Sequence, residues 1–531
     1  MPSLRPSLIL AAAAVLLLAP SLVLGTLITH SSPQNLTWAA QFSEQFRAGI
    51  LYPRWMPLSF DGLGSPAFYF YPPLPFWIDA LVSAITFDLL PVPYRLSVTS
   101  TLILFASGLA MQAWLRAETQ NPKVALWGAV AYMAAPYHLL DYYMRGAYAE
   151  FTAFIFLPLV LLAVRRPLLL PFAYAGLLLS HLPTALLVTV TVLPAYVLAR
   201  TPRPAELARV VAGGGLGIGL VAIYLVPAMS LQGWISADQL WAAFYRVERW
   251  FVLTPSRWLE PVIMNIVMWF TLAYALAAAG AMLVTRRFFW PLVSLACLAL
   301  IAGVVPWFWQ LPELAKVQFP WRLLLVVEFA TVTALCAEPA AALRRARLYA
   351  FVIVLIAVTP GLVLAAEDTV ARVQFMFKRA VLRQQDVKEY QPRGYPQAAT
   401  LGFAELGLEP LKEVPPIACT PAASICTATP LAFGALAIDV HAEVAVDVVI
   451  RRFFFPAWRL DPVRSLAPTA DLRLIHFNAE PGRHTYRLER HALPAEQWGW
   501  SISGASLLLL LGVAALTARA RQRREGTSAS V

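Results

Sequence analysis

Twelve apolar runs alternate with polar stretches along the chain, and most of the polar stretches are short. A helix that crosses the hydrocarbon core of a bilayer needs about 20 mainly apolar residues. The pattern therefore predicts a polytopic α-helical membrane protein with about 12 transmembrane helices. The predicted spans lie near residues 7–27, 95–115, 124–137, 151–164, 167–181, 184–199, 208–228, 262–284, 289–306, 323–341, 348–366 and 499–517.

Basic residues between the spans predict the orientation of the protein in the membrane. With a cytoplasmic N-terminus and twelve spans, every basic cluster and the C-terminus face the cytoplasm, as the positive-inside rule requires. A further apolar run, residues 76–90, would invert all later loops if it crossed the membrane. Because this run carries Asp79 and Asp88, we interpret it as a helix at the outer surface. The clusters contain Arg116 and Lys123, Arg165 and Arg166, Arg200, Arg203 and Arg209, Arg286 and Arg287, Arg344, Arg345 and Arg347, and Arg519, Arg521, Arg523 and Arg524.

Composition supports a membrane protein and explains the net charge. Hydrophobic residues make up 59% of the chain and charged residues 13%, whereas soluble domains carry about 25% charged residues. The net charge is +11, and the basic residues that produce it are clustered in the loops between the spans. The partner that this distribution predicts is therefore the lipid bilayer and not a nucleic acid.

Two long polar regions divide the chain into domains. Residues 1–366 are predicted to form the transmembrane bundle with a structured first external loop, 28–94. In that loop Trp38, Phe42 and Phe46 recur every four residues, which predicts an amphipathic interfacial helix at 36–48. Residues 367–497 are predicted to form an external β-rich domain, and 498–531 the last transmembrane helix and a basic cytoplasmic tail.

Period-two alternation in the external domain predicts a small antiparallel β-sandwich. Cys419 and Cys426 lie seven residues apart in this domain, where oxidising conditions favour a disulfide. The longest predicted strand alternates at Leu436, Ile438, Val440, Ala442, Val444, Val446 and Val448. Further predicted strands are FFFPAWRLD (453–461), LRLIHF (472–477) and HTYRLER (484–490).

The polar side chains that are candidates for catalysis or binding are predicted to lie on the external side. Arg322, beside Trp321 and Pro320 at the outer end of the tenth span, suits a phosphate because its guanidinium is a permanently charged fork. The alternative is an anchor that reaches the lipid headgroups. Glu150 lies at the start of the fourth span. It is interpreted either as a general acid or base, or as a carboxylate that stabilises the helix N-terminus. The sequence shows no zinc-ligand spacing, P-loop or dinucleotide fingerprint.

Two other polar residues also have two alternative interpretations each. His181, in SHLPT, is a base or a polar contact at a helix break. Asp61, in FDGLGSP, is a functional acid or a turn residue.

Five stretches between about residues 28 and 325 carry a family resemblance: GILYPRW, GLGSPAFYFYPPLPF, APYHLLDYYMRGAYAEF, SHLPT and QFPWRLL. The pattern resembles the type C glycosyltransferase superfamily, and more closely the bacterial membrane proteins labelled pyruvoyl-tetrahydropterin-synthase-related. YMRGAYAE resembles the second external loop of oligosaccharyltransferase catalytic subunits. FFFPAWRLD and PGRHTYRL resemble the external β-domain of related multi-span proteins.

This resemblance implies a donor whose polyprenyl tail lies in lipid and whose phosphate lies at the external face of a bacterial cytoplasmic (inner) membrane. An acid of the first loop would serve as base or metal ligand, and a basic residue would steady the leaving phosphate. The stretch THSSPQNLTW (29–38) holds no acid where the superfamily has one. Asp61, Glu150 or Asp141 would then substitute, or catalysis has been lost. The resemblance leaves open whether a divalent cation, Mg or Mn, is a cofactor.

The leading interpretation is a membrane glycosyltransferase that moves a sugar from a polyprenyl-phosphate carrier to an external glycan, lipid or protein. The alternative is a catalytically inactive member that binds or assembles lipid-linked glycans. A transporter or flippase is disfavoured because the spans hold few ionisable residues. The expected catalytic residues are Glu150, Asp61 and Asp141, and the expected substrate-binding residues are Arg322, Arg145, His181, Arg54, Trp55, Tyr71, Gln318 and Trp321. Asp61, Glu150 and Arg322 are expected to converge on one external cavity.

Overall fold

The computed structural model describes residues 4–27, 29–254, 261–285, 287–337, 386–396, 408, 411, 413–422 and 424–528. The predicted span 348–366 lies outside these residues. The helices are α1 Leu4–Leu17, α2 Ala19–Leu24, α3 Ser32–Arg47, α4 Ala67–Phe70, α5 Leu74–Ile85, α6 Val92–Thr119, α7 Pro122–Met133, α8 Pro136–Leu140, α9 Tyr148–Ala153, α10 Phe156–Ala163, α11 Leu170–Ser180, α12 Leu182–Val190, α13 Val192–Ala199, α14 Pro204–Leu220, α15 Ala222–Ser230, α16 Pro261–Thr285, α17 Phe289–Ala302, α18 Pro306–Trp309, α19 Leu324–Leu335 and α20 Pro494–Ser528.

Several of these helices are long and apolar enough to cross a membrane. Within the described ranges four qualify by length and composition: Val92–Thr119, Leu182–Ala199, Ile263–Leu283 and Pro494–Arg519. A fifth is counted if α14 and α15, which meet at 70°, form one broken span. The mainly helical architecture with several apolar helices is thus confirmed, while the number of twelve spans stays a prediction.

The first loop packs on itself. The predicted helix at 36–48 is present as α3, but Trp38 and Phe42 are buried inside the protein. Both rings contact Phe68 and Phe76. The interfacial interpretation of this helix is therefore wrong for these two side chains, because the rest of the loop supplies their apolar partners.

A buried ion network ties the first loop to α6. Arg95 of α6 pairs with Asp79 at 3.0 Å and with Asp88 at 2.9 Å. Ser43 of α3 also donates to Asp79, over 3.1 Å. The two acids that argue against a span at 76–90 are thus paired with arginines, since Asp88 also pairs with Arg47 at 2.7 Å. The helix found there, α5, is only 12 residues long.

The predicted β-rich domain is a sandwich of two four-stranded antiparallel sheets. One sheet has the order β1-β4-β7-β6 and the other β2-β3-β8-β5. The strands are β1 Ile417–Thr420, β2 Ile425–Pro430, β3 Leu436–Ala442, β4 Val446–Phe453, β5 Trp458–Asp461, β6 Ala467–Pro468, β7 Leu474–Ala479 and β8 Gly482–Arg490.

The prediction of one continuous strand over 436–448 is wrong. The strand ends at Ala442, and the chain then crosses to the other sheet, where β4 begins at Val446. Ala442 and Val446 are four positions apart, so inward-facing residues keep their even spacing across the turn. Val444, at the turn, is 53% exposed. The alternation alone therefore carried no sign of the break.

The predicted disulfide is confirmed. Cys419 of β1 and Cys426 of β2 are bonded, with their Cα atoms 6.4 Å apart. Because β1 and β2 belong to different sheets, the bond links the two halves of the sandwich.

Replacing both cysteines with serine is expected to destabilise the sandwich by about 2–3 kcal/mol, since the bond closes a short loop in the unfolded chain. Pulse proteolysis of the full chain across a urea series measures this loss. The control is a reductant, which should destabilise the wild type by the same amount and leave the double variant unchanged. A wild type that resists proteolysis equally with and without reductant would contradict the prediction.

Candidate functional site

A cavity of about 530 Å³ lies between the first loop, the helix bundle and a segment before the β-sandwich. Most of the predicted substrate-binding residues meet there. The wall residues that matter below are Trp38, Tyr71, Arg145, Glu150, His181, Lys316, Gln318, Phe319, Trp321, Arg322, Glu389 and Tyr390.

Glu150 is the charged centre of this cavity. The side chain is buried, and its Oε1 accepts a hydrogen bond of 2.6 Å from the Tyr137 hydroxyl. Its Oε2 accepts from Arg145 Nη1 at 2.8 Å and from Arg322 Nε at 3.2 Å. Two arginines that lie far apart in sequence therefore share one carboxylate oxygen.

A turn between α8 and α9 positions Arg145. Residues Asp141–Arg145 form a single π-helical turn, which ends at Gly146 in the left-handed region with φ of 59°. A Cβ at Gly146 would collide with Thr29, so only glycine fits this turn. Asn35 of α3 donates to the Gly146 carbonyl over 2.7 Å. The first loop thus braces the turn that presents Arg145.

Aromatic rings support the two guanidinium groups. The Phe319 ring centroid lies 5.1 Å from Arg322 Cζ and 5.9 Å from Arg145 Cζ, within cation–π range. Phe319 stacks on Trp321 at 4.6 Å, and Trp321 packs edge-on against Trp250. Gln318 has φ of 70° and donates to the Leu240 carbonyl over 3.0 Å. This packing fixes Arg322 in one orientation.

The remaining predicted residues of this region take supporting positions. Asp141 is buried and accepts a hydrogen bond from Arg145, but it does not line the cavity. It therefore holds Arg145 from behind. His181 lines the cavity at the break between α11 and α12, where its Nδ1 lies 2.8 Å from Thr184 Oγ1. Tyr71 also lines the cavity, with its ring centroid 4.8 Å from that of Trp38.

Asp61 lies elsewhere, so its expected convergence with Glu150 and Arg322 is wrong. Its side chain is 40% exposed and pairs with Arg451 of β4 at 3.2 Å. Its φ of 56° precedes Gly62 with φ of 82°, which confirms the turn interpretation. Asp61 joins the first loop to the sandwich and does not line the cavity.

Arg54 and Trp55 are also structural contacts and not cavity residues, contrary to expectation. Arg54 pairs with Glu496 of α20 at 3.2 Å and donates to the Ile223 carbonyl over 2.7 Å. Trp55 packs against Trp458 of β5 with ring centroids 5.2 Å apart. The loop motif GILYPRW therefore holds the sandwich and the last helix onto the bundle.

Sequence reasoning missed Glu389, a second carboxylate on the cavity wall. It belongs to residues 386–396, a segment that was assigned as a whole to the β-rich domain. The Trp38 indole donates to Asp386 over 3.2 Å, and the Tyr390 ring stacks on Phe70. Burial raises the pKa of Glu389 to about 7, and the charge of Asp386 adds to the rise. No local motif marked this residue.

The charges of the cavity suit an anion better than a metal ion. Arg145, Arg322 and Lys316 face Glu150 and Glu389. Three donors engage the oxygens of Glu150, and the positive charges of Arg145 and Arg322 beside it disfavour a bound Mg or Mn. Among the residues that the structure describes, no three His, Cys, Asp or Glu side chains converge as metal ligands. The donor set therefore does not fit the divalent cation left open above.

The comparisons with known proteins bear on this same part of the chain. A family model described as "6-pyruvoyl-tetrahydropterin synthase related domain; membrane protein" matches residues 68–369. Neither the curated proteins nor the solved structures gave a match. The matched region is more than half of the chain, and it contains Arg145, Glu150, His181 and Arg322. The chain therefore belongs to the 6-pyruvoyl-tetrahydropterin synthase related family of membrane proteins.

Proposed function

We propose that the protein is a membrane glycosyltransferase that moves a sugar from a polyprenyl-phosphate carrier to an external acceptor. The acceptor is a glycan, lipid or protein. The observation that carries this proposal is the pair of arginines, Arg145 and Arg322, on one buried carboxylate in an aromatic-lined cavity. The planar forks of two such guanidinium groups match the oxygens of a phosphate.

The two arginines keep donors available for a ligand. Hydrogen bonds to described residues engage Nη1 of Arg145, and Nε and Nη1 of Arg322. The other nitrogens of both groups remain for phosphate oxygens. The indole N–H of Trp321 is buried without an acceptor among the described residues, and it offers one more donor. The carrier phosphate would thus meet donors from three side chains.

The positions of the helix ends support the orientation of the protein in the membrane that this proposal requires. Three helical stretches have one end at the cavity: α11 ends beside His181, α12–α13 begins there, and α14–α15 brings Tyr224 and Met229 to the wall. The basic residues lie towards the opposite ends of these stretches: Arg165 before α11, Arg200 after α13 and Arg209 in the first half of α14. This supports a cavity on the external face of the membrane. A bacterial cytoplasmic membrane, twelve spans and cytoplasmic termini belong to the same proposal. The fold would then be of the type C glycosyltransferase class.

The transfer itself requires a base and a stabilised leaving group. An acceptor hydroxyl attacks the anomeric carbon, the bond from that carbon to the phosphate oxygen breaks, and polyprenyl phosphate leaves with the electron pair. Arg145 and Arg322 stabilise the charge on the leaving phosphate. Glu389 accepts the proton of the acceptor hydroxyl, because its pKa of about 7 suits a base at neutral pH. Glu150, with its oxygens occupied, positions the two arginines.

The non-catalytic alternative draws on the same geometry. Asp61 pairs with Arg451 and does not line the cavity, and Glu150 is held by two arginines and a tyrosine, so neither acid is placed to act as a base. A protein that only binds lipid-linked glycans would need the arginines and the aromatic wall but not Glu389. Consumption of the donor separates the two functions.

The full chain in proteoliposomes, offered a panel of polyprenyl-phosphate sugars and a membrane extract as acceptor, is expected to release polyprenyl phosphate. Glu150→Gln should lower this release by about 10²–10³-fold, because misplaced arginines no longer stabilise the leaving phosphate. Glu44→Gln, an exposed acid of α3, is the matched control and should retain activity. A carrier that binds but is never consumed would favour the non-catalytic alternative. Full activity of a folded Glu150→Gln variant would remove Glu150 from the mechanism.

A further inference from the structure

A second cleft, of about 260 Å³, lies at the far ends of the helices that reach the cavity. Residues 182–199 lead from His181 at the cavity to Arg200 at this cleft. Their 18 helical residues rise about 27 Å at 1.5 Å per residue, close to the hydrocarbon thickness of about 30 Å. The two sites therefore belong to opposite faces of the membrane.

Three arginines line this cleft: Arg165 after α10, Arg200 after α13 and Arg209 of α14. The hydroxyl of Tyr196 accepts hydrogen bonds from Arg165 Nε at 2.8 Å and from Arg200 Nη1 at 3.4 Å. One neutral oxygen thus holds two positive groups side by side, which favours an anion between them.

The acids near the cleft do not balance these charges. Glu118 pairs with Arg165 but does not line the cleft. Glu206 does line it, and its carboxylate accepts from the Arg203 backbone N–H at 3.3 Å, as a helix cap of α14. Three arginines against two glutamates leave an excess positive charge. The cleft wall also contains Leu170 and Val197, which offer apolar contacts beside the arginines.

We propose that this cleft binds the phosphate group of an anionic membrane lipid on the face opposite the cavity. Arginine forks match phosphate oxygens in pairs. Basic pockets between membrane helices on the cytoplasmic side meet anionic headgroups at the leaflet surface. Leu170 and Val197 would contact the first carbons of the acyl chains. This binding does not depend on the transfer reaction, since a helix length separates the two sites.

The test uses the full chain in phosphatidylcholine nanodiscs, titrated with phosphatidylglycerol and read by native mass spectrometry. The double variant Arg200→Gln/Arg209→Gln is expected to lower phosphatidylglycerol retention by at least about tenfold, since it removes two charge-assisted donors. Arg166→Gln/Arg203→Gln is the matched control, because it removes the same net charge from residues that do not line the cleft. Its retention should stay within about twofold of the wild type.

Inorganic phosphate supplies the second arm of the experiment. Binding of phosphate to the wild type, lost in Arg200→Gln/Arg209→Gln, would show that the phosphate group alone is recognised. Binding of phosphatidylglycerol without binding of phosphate would show that the acyl chains contribute, and both results support the cleft. An equal loss in the two double variants would reduce the effect to surface charge and overturn the proposal. So would equal retention of phosphatidylcholine and phosphatidylglycerol by the wild type.

Discussion

Arg322→Ala is expected to weaken the binding of polyprenyl phosphate by about 10- to 100-fold, because a charge-assisted hydrogen bond contributes about 1.5–3 kcal/mol. Arg322 is held in place by Glu150 and by the Phe319 ring, so its remaining donor needs little reorganisation to meet a phosphate. The measurement is a titration of undecaprenyl phosphate into the purified chain in nanodiscs.

A conservative variant in the cavity and a control variant outside it test whether the loss of affinity is specific to the Arg322 guanidinium. Arg322→Lys keeps the charge and loses the fork, so its affinity should lie between those of the wild type and Arg322→Ala. Arg246→Ala is the matched control, since Arg246 is exposed in a neighbouring segment and does not line the cavity. Glu150 still pairs with Arg145 in the alanine variant, so the fold should persist, which thermal denaturation checks. Equal affinities for wild type and Arg322→Ala would leave Arg322 as an anchor of the bundle.

The residues whose common location was predicted correctly are those whose place follows from a nearby helix end. Arg145 and Glu150 flank one turn, His181 sits at a helix break, and Gln318 and Arg322 precede α19. Once the order of spans along the chain is recognised, these ends must meet on one side of the membrane. The cavity confirms that they line one space. Local sequence was enough for this part of the site.

The wrong predictions all involve contacts between distant parts of the chain. Asp61 meets Arg451, and Arg54 meets Glu496, across about 400 residues of sequence. A polar residue in an aromatic motif looks the same whether it faces a ligand or another domain. Only the docking of the sandwich on the first loop decides between these two roles. Period-two alternation likewise predicted strands but not which sheet each strand joins.

Glu389 was missed because burial, and not its own sequence context, gives it a role. The segment 386–396 is fastened at one side by the backbone bond from Ser236 to Gln391 and at the other by Trp38 and Asp386. These contacts lie about 150 and 350 residues away in sequence. Without them Glu389 would be an ordinary solvated acid.

Glu389→Gln is expected to lower turnover by about 10²–10⁴-fold, the usual loss when a general base is removed. A base must be deprotonated to accept the acceptor's proton, and burial sets the pKa of Glu389 at about 7. Wild-type kcat/KM should therefore fall about tenfold per pH unit below that value, and the residual activity of Glu389→Gln should lack this fall. Glu248→Gln, an exposed acid that does not line the cavity, is the control and should keep the wild-type profile. Affinity for undecaprenyl phosphate should be unchanged in Glu389→Gln, since Arg145 and Arg322 remain. A variant with wild-type turnover and the same acidic fall would exclude Glu389 as the base.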